Sequence, residues 1–159
     1  MDNVPYVKLF EDDISPTTVQ DLIDDIHDHD NVRLYFSTDG GMLIDTMALI
    51  DYLNSRGDSL TLILSGYLQS AGGIILEKFT GKVELSYAFE FVDLHLVDRE
   101  TLNFRDKLIN SKLVSSAERW NIDYINWWKK FYKLTAKEVR ELKEGKDIRI
   151  YRDRIEKII

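Results

Sequence analysis

The apolar positions of the first hundred residues switch repeatedly between two periods. Val7-Lys8-Leu9-Phe10 predicts a short strand, and Ser15 followed by Pro16 predicts a helix start, with the serine capping and the proline at the first helical position. Val19, Leu22, Ile23 and Ile26 then recur at helical spacing, which gives one core-facing stripe. Val32-Arg33-Leu34-Tyr35-Phe36 predicts the next strand, ending at Ser37-Thr38-Asp39-Gly40-Gly41. Leu43, Ile44, Met47, Ala48 and Ile50 mark a second amphipathic helix that stops near Arg56-Gly57. Leu60 to Leu64 is a continuous apolar run with a β-branched centre, the signature of a strand buried on both faces, closed by Ser65-Gly66. A third helix is expected from about Ser70, and Val83-Glu84-Leu85 and Phe89 to Leu96 continue the strands.

Alternation of strand and helix predicts an α/β fold with a parallel sheet and right-handed βα crossovers. Such sheets hold ligands at the carboxyl ends of their strands, which directs attention to Asp39-Gly40-Gly41 and to Gly66 through Gly73. Beyond residue 98 the pattern changes. Arg105 to Tyr132 predicts one long helix on which Trp120, Tyr124, Trp127 and Phe131 share a face that Trp128 and Tyr132 widen. Thr135-Ala136-Lys137-Glu138 is a capping box, Gly145 a helix stop, Ile148 to Tyr151 a short edge strand, and Arg152 to Ile159 a terminal helix or tail. We read one domain over 1–159, divided into an α/β region (1–98), a helical region (99–134) and a C-terminal helix, strand and tail (135–159).

Composition narrows the chemistry. Apolar residues make up 44% of the 159 residues, enough for a buried core, and the net charge of −7 comes without any cluster of Lys and Arg for a phosphate backbone, so nucleic acid is not an expected partner. There is no cysteine, which removes disulfides, thiolate metal sites and thiol nucleophiles. Neither a signal peptide nor a membrane-spanning run is present, and a cytoplasmic location is expected. No metal or cofactor is expected; His27 and His29, in an acidic helix end, read as a solvated terminus.

Three features remain that could carry a reaction. Ser70 lies where a strand should turn into a helix, so exposed N–H groups and the helix dipole would favour a developing anion beside it; the ordinary reading is a helix cap. Gly40-Gly41 reads first as a turn, although glycine amides can also face an oxyanion with no side chain in the way. His95 alternates with Phe89, Phe91 and Asp93 on one strand face, where a hydrogen-bonded core histidine is the ordinary reading and a general base the functional one.

Taken in order, these features form a more specific pattern. A strand ending in Gly40-Gly41, then Gly66-Tyr67-Leu68-Gln69-Ser70-Ala71-Gly72, then His95 25 residues after Ser70, resembles the Clp protease proteolytic subunit (ClpP) family of serine peptidases. Leu9 to Ile14 resembles that family's first core strand and turn. Leu34 to Gly41 resembles its Tyr-Ile-Asn-Ser-Pro-Gly-Gly segment, with Asp39 where proline is usual, and Ala71 stands where methionine is usual in the nucleophile turn. The resemblance implies a crotonase-like α/β fold with Ser70 as nucleophile, His95 as general base and the amides near Gly41 and Ala71 as the oxyanion hole. It also implies a protruding handle helix that pairs two stacked rings of a homo-oligomer through Trp120, Tyr124, Trp127, Trp128, Phe131 and Tyr132. Peptides or unfolded proteins are the implied substrates, and an AAA+ unfoldase the implied partner.

The pattern departs from the family at one functional position. Phe131 stands where the resemblance places the third catalytic residue, an aspartate, and Asp93, Asp98 and Asp123 are the alternative carboxylates. Because that acid orients the imidazole, its loss can cost on the order of 10⁴ in turnover without altering the fold. A catalytically impaired subunit or scaffold is therefore the alternative to an active peptidase. A crotonase-fold acyl-CoA enzyme is the third reading, but no basic pocket for the nucleotide phosphates is visible. The chain also starts almost at its first core strand, which predicts a shortened axial-pore segment.

Overall fold

The computed structural model describes residues 4–96 and 111–159; for 111–117 only the backbone is described. Six strands, β1 (Tyr6–Glu11), β2 (Val32–Thr38), β3 (Leu60–Gln69), β4 (Lys82–Leu85), β5 (Phe91–Leu94) and β6 (Ile148–Tyr151), form one sheet among these residues. The helices are α1 (Pro16–Ile26), α2 (Leu43–Ser55), α3 (Ala71–Lys78), α4 (Ser111–Phe131), α5 (Ala136–Lys143) and the short α6 (Arg152–Ile155). Strand order is β1-β2-β3-β5-β6, with β4 also on β3. The pairs β1–β2, β2–β3, β3–β4 and β3–β5 are all parallel, as the alternating periods predict.

Two compact units make up the chain: Met1–Asp93 with Arg149–Ile159, and Leu94–Ile148. In the first unit the core lies between sheet and helices. Phe10, Val32, Leu34, Phe36, Leu62 and Leu64 face inward from the strands, and the rings of Phe10 and Phe36 stack at 4.8 Å. Val19, Leu22 and Ile26 of α1 are buried as well, each such side chain contributing roughly 1.5–3 kcal/mol of burial. Ser15 caps α1 as its position predicts, with Thr18 completing a capping box.

Three elements differ from the sequence pattern: β5 is shorter than the expected Phe89 to Leu96, so Phe89 and His95 lie outside it, and α2 and β3 depart as follows. The core side of α2 is Thr46, Leu49, Ile50 and Leu53, whereas Ile44 and Met47 are exposed. Thr46 is buried at little cost because its hydroxyl donates to the Met42 carbonyl at 2.8 Å. The third strand does not close at Ser65-Gly66 but runs on to Gln69. Gly66 adopts φ +70°, and Ser37 stitches the irregular stretch by donating to the Tyr67 carbonyl (3.0 Å) and accepting the Tyr67 N–H (3.3 Å). A Cβ on residue 66 would lie 2.9 Å from the Ser37 hydroxyl. This extension carries β3 from its pairing with β4 to its pairing with β5, and so brings its carboxyl end to the residues that matter most.

In the second unit, α5 is capped by Thr135, whose hydroxyl accepts the Glu138 N–H at 3.2 Å while the Glu138 carboxylate accepts the Thr135 N–H at 2.7 Å. Along α4, Tyr124, Trp128 and the following Tyr132 are buried and share one helical face, with Tyr124 and Trp128 stacked at 5.3 Å. Burial, with a smaller contribution from the Asp123 charge, pushes the Tyr124 hydroxyl up to about 12. Trp120 is exposed and Trp127 and Phe131 are half-buried. Of the six aromatics expected at an oligomer interface, Tyr124, Trp128 and Tyr132 are therefore covered within the chain itself, because they fall on the buried face of the helix, and Trp120, Trp127 and Phe131 form the accessible row.

Candidate active site

Between the end of β3 and the start of α3 a single residue, Ser70, makes the turn with φ 52° and ψ −117°. Positive φ at a residue with a Cβ costs of order 1–3 kcal/mol and persists only where the surroundings enforce it. The surroundings here are identifiable. The Ser70 N–H donates to the Asp93 carbonyl at 2.9 Å, and the Ser70 carbonyl accepts the Gly73 N–H at 3.0 Å. Behind the turn, Gly72 presses α3 onto the sheet so closely that a Cβ there would lie 2.8 Å from the Thr38 methyl and 3.2 Å from the Leu68 Cβ. The Ser70 side chain makes no capping hydrogen bond, so the ordinary reading of this serine does not hold.

Gly40 and Gly41 come to the same place. Thr38, buried at the end of β2, donates to the Asp12 carbonyl at 2.7 Å and accepts the Gly40 N–H at 3.0 Å, which sets the turn. Ile14 then brackets the pair, its N–H donating to the Gly40 carbonyl (2.7 Å) and its carbonyl accepting the Met42 N–H (2.9 Å). A Cβ on Gly40 would lie 2.7 Å from the Ser70 Cβ and 3.2 Å from the Ala71 nitrogen, and one on Gly41 only 2.0 Å from the Ile14 oxygen. Both positions have positive φ, +102° and +153°, so glycine is demanded by conformation and by space. Among the described residues the N–H groups of Gly41 and Ala71 have no hydrogen-bond partner. These are the two amides expected for an oxyanion hole.

Close to this turn, Glu11, Asp12, Asp13, Ser37, Thr38, Asp39, Gly66 and Tyr67 line an open cleft of about 520 Å³. Its four carboxylates make it strongly acidic. The Asp39 carboxylate, by hydrogen bonding first and by charge second, holds the Tyr67 hydroxyl above its ordinary pKa. The Tyr67 ring stacks on Phe91 of β5 at 5.5 Å.

His95 follows β5 two residues after the carbonyl that holds Ser70; its side chain is exposed, and it belongs to the second unit. Of the alternative carboxylates, Asp93 has both oxygens taken by Arg149, at 2.8 Å from Nε and 2.6 Å from the second guanidinium nitrogen. Asp98 lies outside the described residues, and Asp123 is half-buried on α4. Phe131, at the position where the resemblance expects an acid, packs edge-on against Tyr132 at 4.9 Å. His27 and His29 serve structure: His27 Nδ1 bonds with the Asp24 carbonyl at 2.8 Å, and His29 stacks on Tyr6 at 3.7 Å.

Sequence reasoning passed over Arg149, reading Ile148 to Tyr151 only as a short edge strand. A signal was present, because Asp93 sits between Val92 and Leu94 in a strand and is buried, and a buried carboxylate requires a partner. Alternation with buried Ile148 and Ile150 puts Arg149 on the opposite side of β6, where it also covers the Phe91 ring at 3.8 Å.

The arrangement can be set beside known structures. The chain superposes on the crystal structure of the ClpP protease catalytic domain from Plasmodium falciparum with a TM-score of 0.63 over 96% of this chain and 80% of that one, at 16% identity. The fold is ClpP-like. At that identity the likeness speaks for architecture and not for activity. No protein-family model matches the sequence, and no curated protein matches it. Among the described residues no helix is long and apolar enough to cross a membrane.

Proposed function

We propose that the protein is a ClpP-like serine peptidase that hydrolyses peptide bonds by acyl transfer. The observation that carries this reading is the strained turn at Ser70, φ 52° with no capping bond, packed against the Gly40 backbone and next to two unengaged amides. A serine that neither caps nor relaxes is retained at a cost, and nucleophile turns carry that cost.

In this reaction the Ser70 hydroxyl attacks the substrate carbonyl while His95 removes its proton. The Gly41 and Ala71 amides stabilise the oxyanion, a contribution typically worth about 2.7–4 kcal/mol per donor. His95 then returns the proton to the leaving amine, and water, activated by the same imidazole, releases the acyl group. The substrates are peptides or unfolded proteins, the chain works as a homo-oligomer of stacked rings joined through the accessible Trp120, Trp127 and Phe131, and an AAA+ unfoldase delivers substrate in the cytoplasm. A fluorophosphonate probe is expected to label the wild type and not Ser70→Ala, together with cleavage of short peptides by the wild type alone. Absence of both labelling and cleavage in the wild type would sink the reading.

A second reading, a catalytically impaired subunit or scaffold, is favoured by one observation: the acid position holds Phe131, and the carboxylate of Asp93 is already bound on both oxygens. Intact assembly with no labelling, and co-purification with an active homologue, would select it.

A further inference from the structure

We propose that Arg149 is a positioning residue for Ser70, acting through Asp93; the proposal rests on the reading of Ser70 as the nucleophile. The turn at Ser70 is held in a disfavoured conformation, and the bond that ties its nitrogen down goes to the main-chain carbonyl of Asp93 at 2.9 Å. That carbonyl is only as well placed as the end of β5. This strand has four residues, and its pairing with β3 covers Tyr67↔Phe91, Leu68↔Val92 and Gln69↔Asp93 alone.

Beside its backbone pairing with β6, a side-chain clamp from that strand holds β5. The Arg149 guanidinium meets the Asp93 carboxylate at two points, 2.8 and 2.6 Å, and lies over the Phe91 ring at 3.8 Å. Phe91 in turn stacks on Tyr67 of β3. One cation therefore grips Phe91 and Asp93, which share one face of β5, and through them the strand that leads into the turn. Two-point guanidinium–carboxylate geometry fixes direction as well as distance, which a single ammonium cannot do. The Asp93 side chain is 11% exposed against 46% for Arg149, so the carboxylate is the buried partner and the one left uncompensated if the arginine is removed.

The experiment uses the full chain and four variants: Arg149→Met, Arg149→Lys, Asp93→Asn, and the Arg149→Met/Asp93→Asn double. Three quantities are read: the rate of Ser70 labelling by a fluorophosphonate, hydrogen exchange at the Ser70 amide against that of Leu62 in mid-strand, and the melting temperature. Arg149→Met is expected to slow labelling by about 10–100-fold, the scale on which small displacements of a reacting group act. It should also speed Ser70 exchange by about 10-fold beyond any change at Leu62. Arg149→Lys recovers part of both. Asp93→Asn keeps the residue's size and one acceptor oxygen, and is expected to fall between wild type and Arg149→Met. The double variant regains thermal stability, because no lone charge stays buried, yet keeps slow labelling and fast Ser70 exchange. Labelling and exchange that return with the melting temperature in the double variant would overturn the proposal, as would Arg149→Met behaving as wild type. If the wild type takes no label, the nucleophile reading has failed, and the Ser70 amide alone then decides whether Arg149 holds the turn.

Discussion

Ser70 and Thr135 stand at the same formal place, the residue before a helix, and the structure uses them in opposite ways. Thr135 is extended at φ −70°, ψ 161°, bonds the first turn of α5 with its hydroxyl and is bonded in return by Glu138. Ser70 is forced to φ 52° and leaves the first turn of α3 without a side-chain acceptor. One hydroxyl stabilises its helix; the other is held in strain by its surroundings and makes no capping bond. A hydroxyl before a helix is therefore not informative by its type. Its backbone angles and its partners decide what it is for.

The contrast can be broken most sharply by removing each hydroxyl. Ser70→Ala is expected to abolish peptide cleavage, on the scale of 10⁶ known for removal of a nucleophilic serine, with the melting temperature unchanged. Thr135→Ala should do the reverse, costing about 1 kcal/mol of stability with cleavage intact. Stability loss in the first variant, read by thermal denaturation, would mean that Ser70 is a cap after all.

Gly40→Ala tests what presses on the strained turn. The new methyl would collide with Ser70 Cβ, and the expected outcome is a loss of labelling of about 10²–10³, comparable to losing an oxyanion donor. Labelling at the wild-type rate would show that the glycine pair is only a turn. A smaller effect of opposite sign is expected for Ser70→Gly, which relaxes the positive φ and should raise stability by about 1 kcal/mol after the entropy of the added glycine is subtracted. Thr135→Gly should lower it by only a few tenths.

The Thr135 side of the comparison has its own probe in Tyr124. Its hydroxyl is pushed up to about 12 in the folded protein, against about 10 when unfolded, so the unfolded chain loses its proton first as pH rises. The stability this group contributes is fully present below pH 10 and is lost progressively up to about pH 12. Tyr124→Phe should flatten that decline in alkaline unfolding curves. An unchanged slope would show that the ring is not buried in solution.

Much of this was legible in the residues. The parallel sheet follows from apolar runs separated by helical stripes, and Gly40-Gly41 meets Ser70-Ala71 because parallel strands deliver their carboxyl ends to one side. What could not be read depends on tertiary geometry. Gly66 looks like a strand end, and the chain continues past it because the Ser37 hydroxyl holds Tyr67 from a neighbouring strand while the Gly66 N–H and carbonyl bond Ala88 and Glu90. Ile44 and Met47 match a helical stripe yet are exposed, because Thr46 satisfies its own hydroxyl within the helix and can be buried in their stead. Asp93 looked like a spare acid until its partner, distant in sequence, was placed beside it.

That distance has a consequence for biosynthesis. Arg149 follows Asp93 by 56 residues, and the unit they close is interrupted by Leu94–Ile148. At ribosomal speeds of about 5–20 residues per second, roughly 3–11 s pass between translation of the carboxylate and of its guanidinium. During that interval the Asp93 carboxylate has no guanidinium to pair with, so the strand behind the serine turn lacks this contact until the intervening segment has been made.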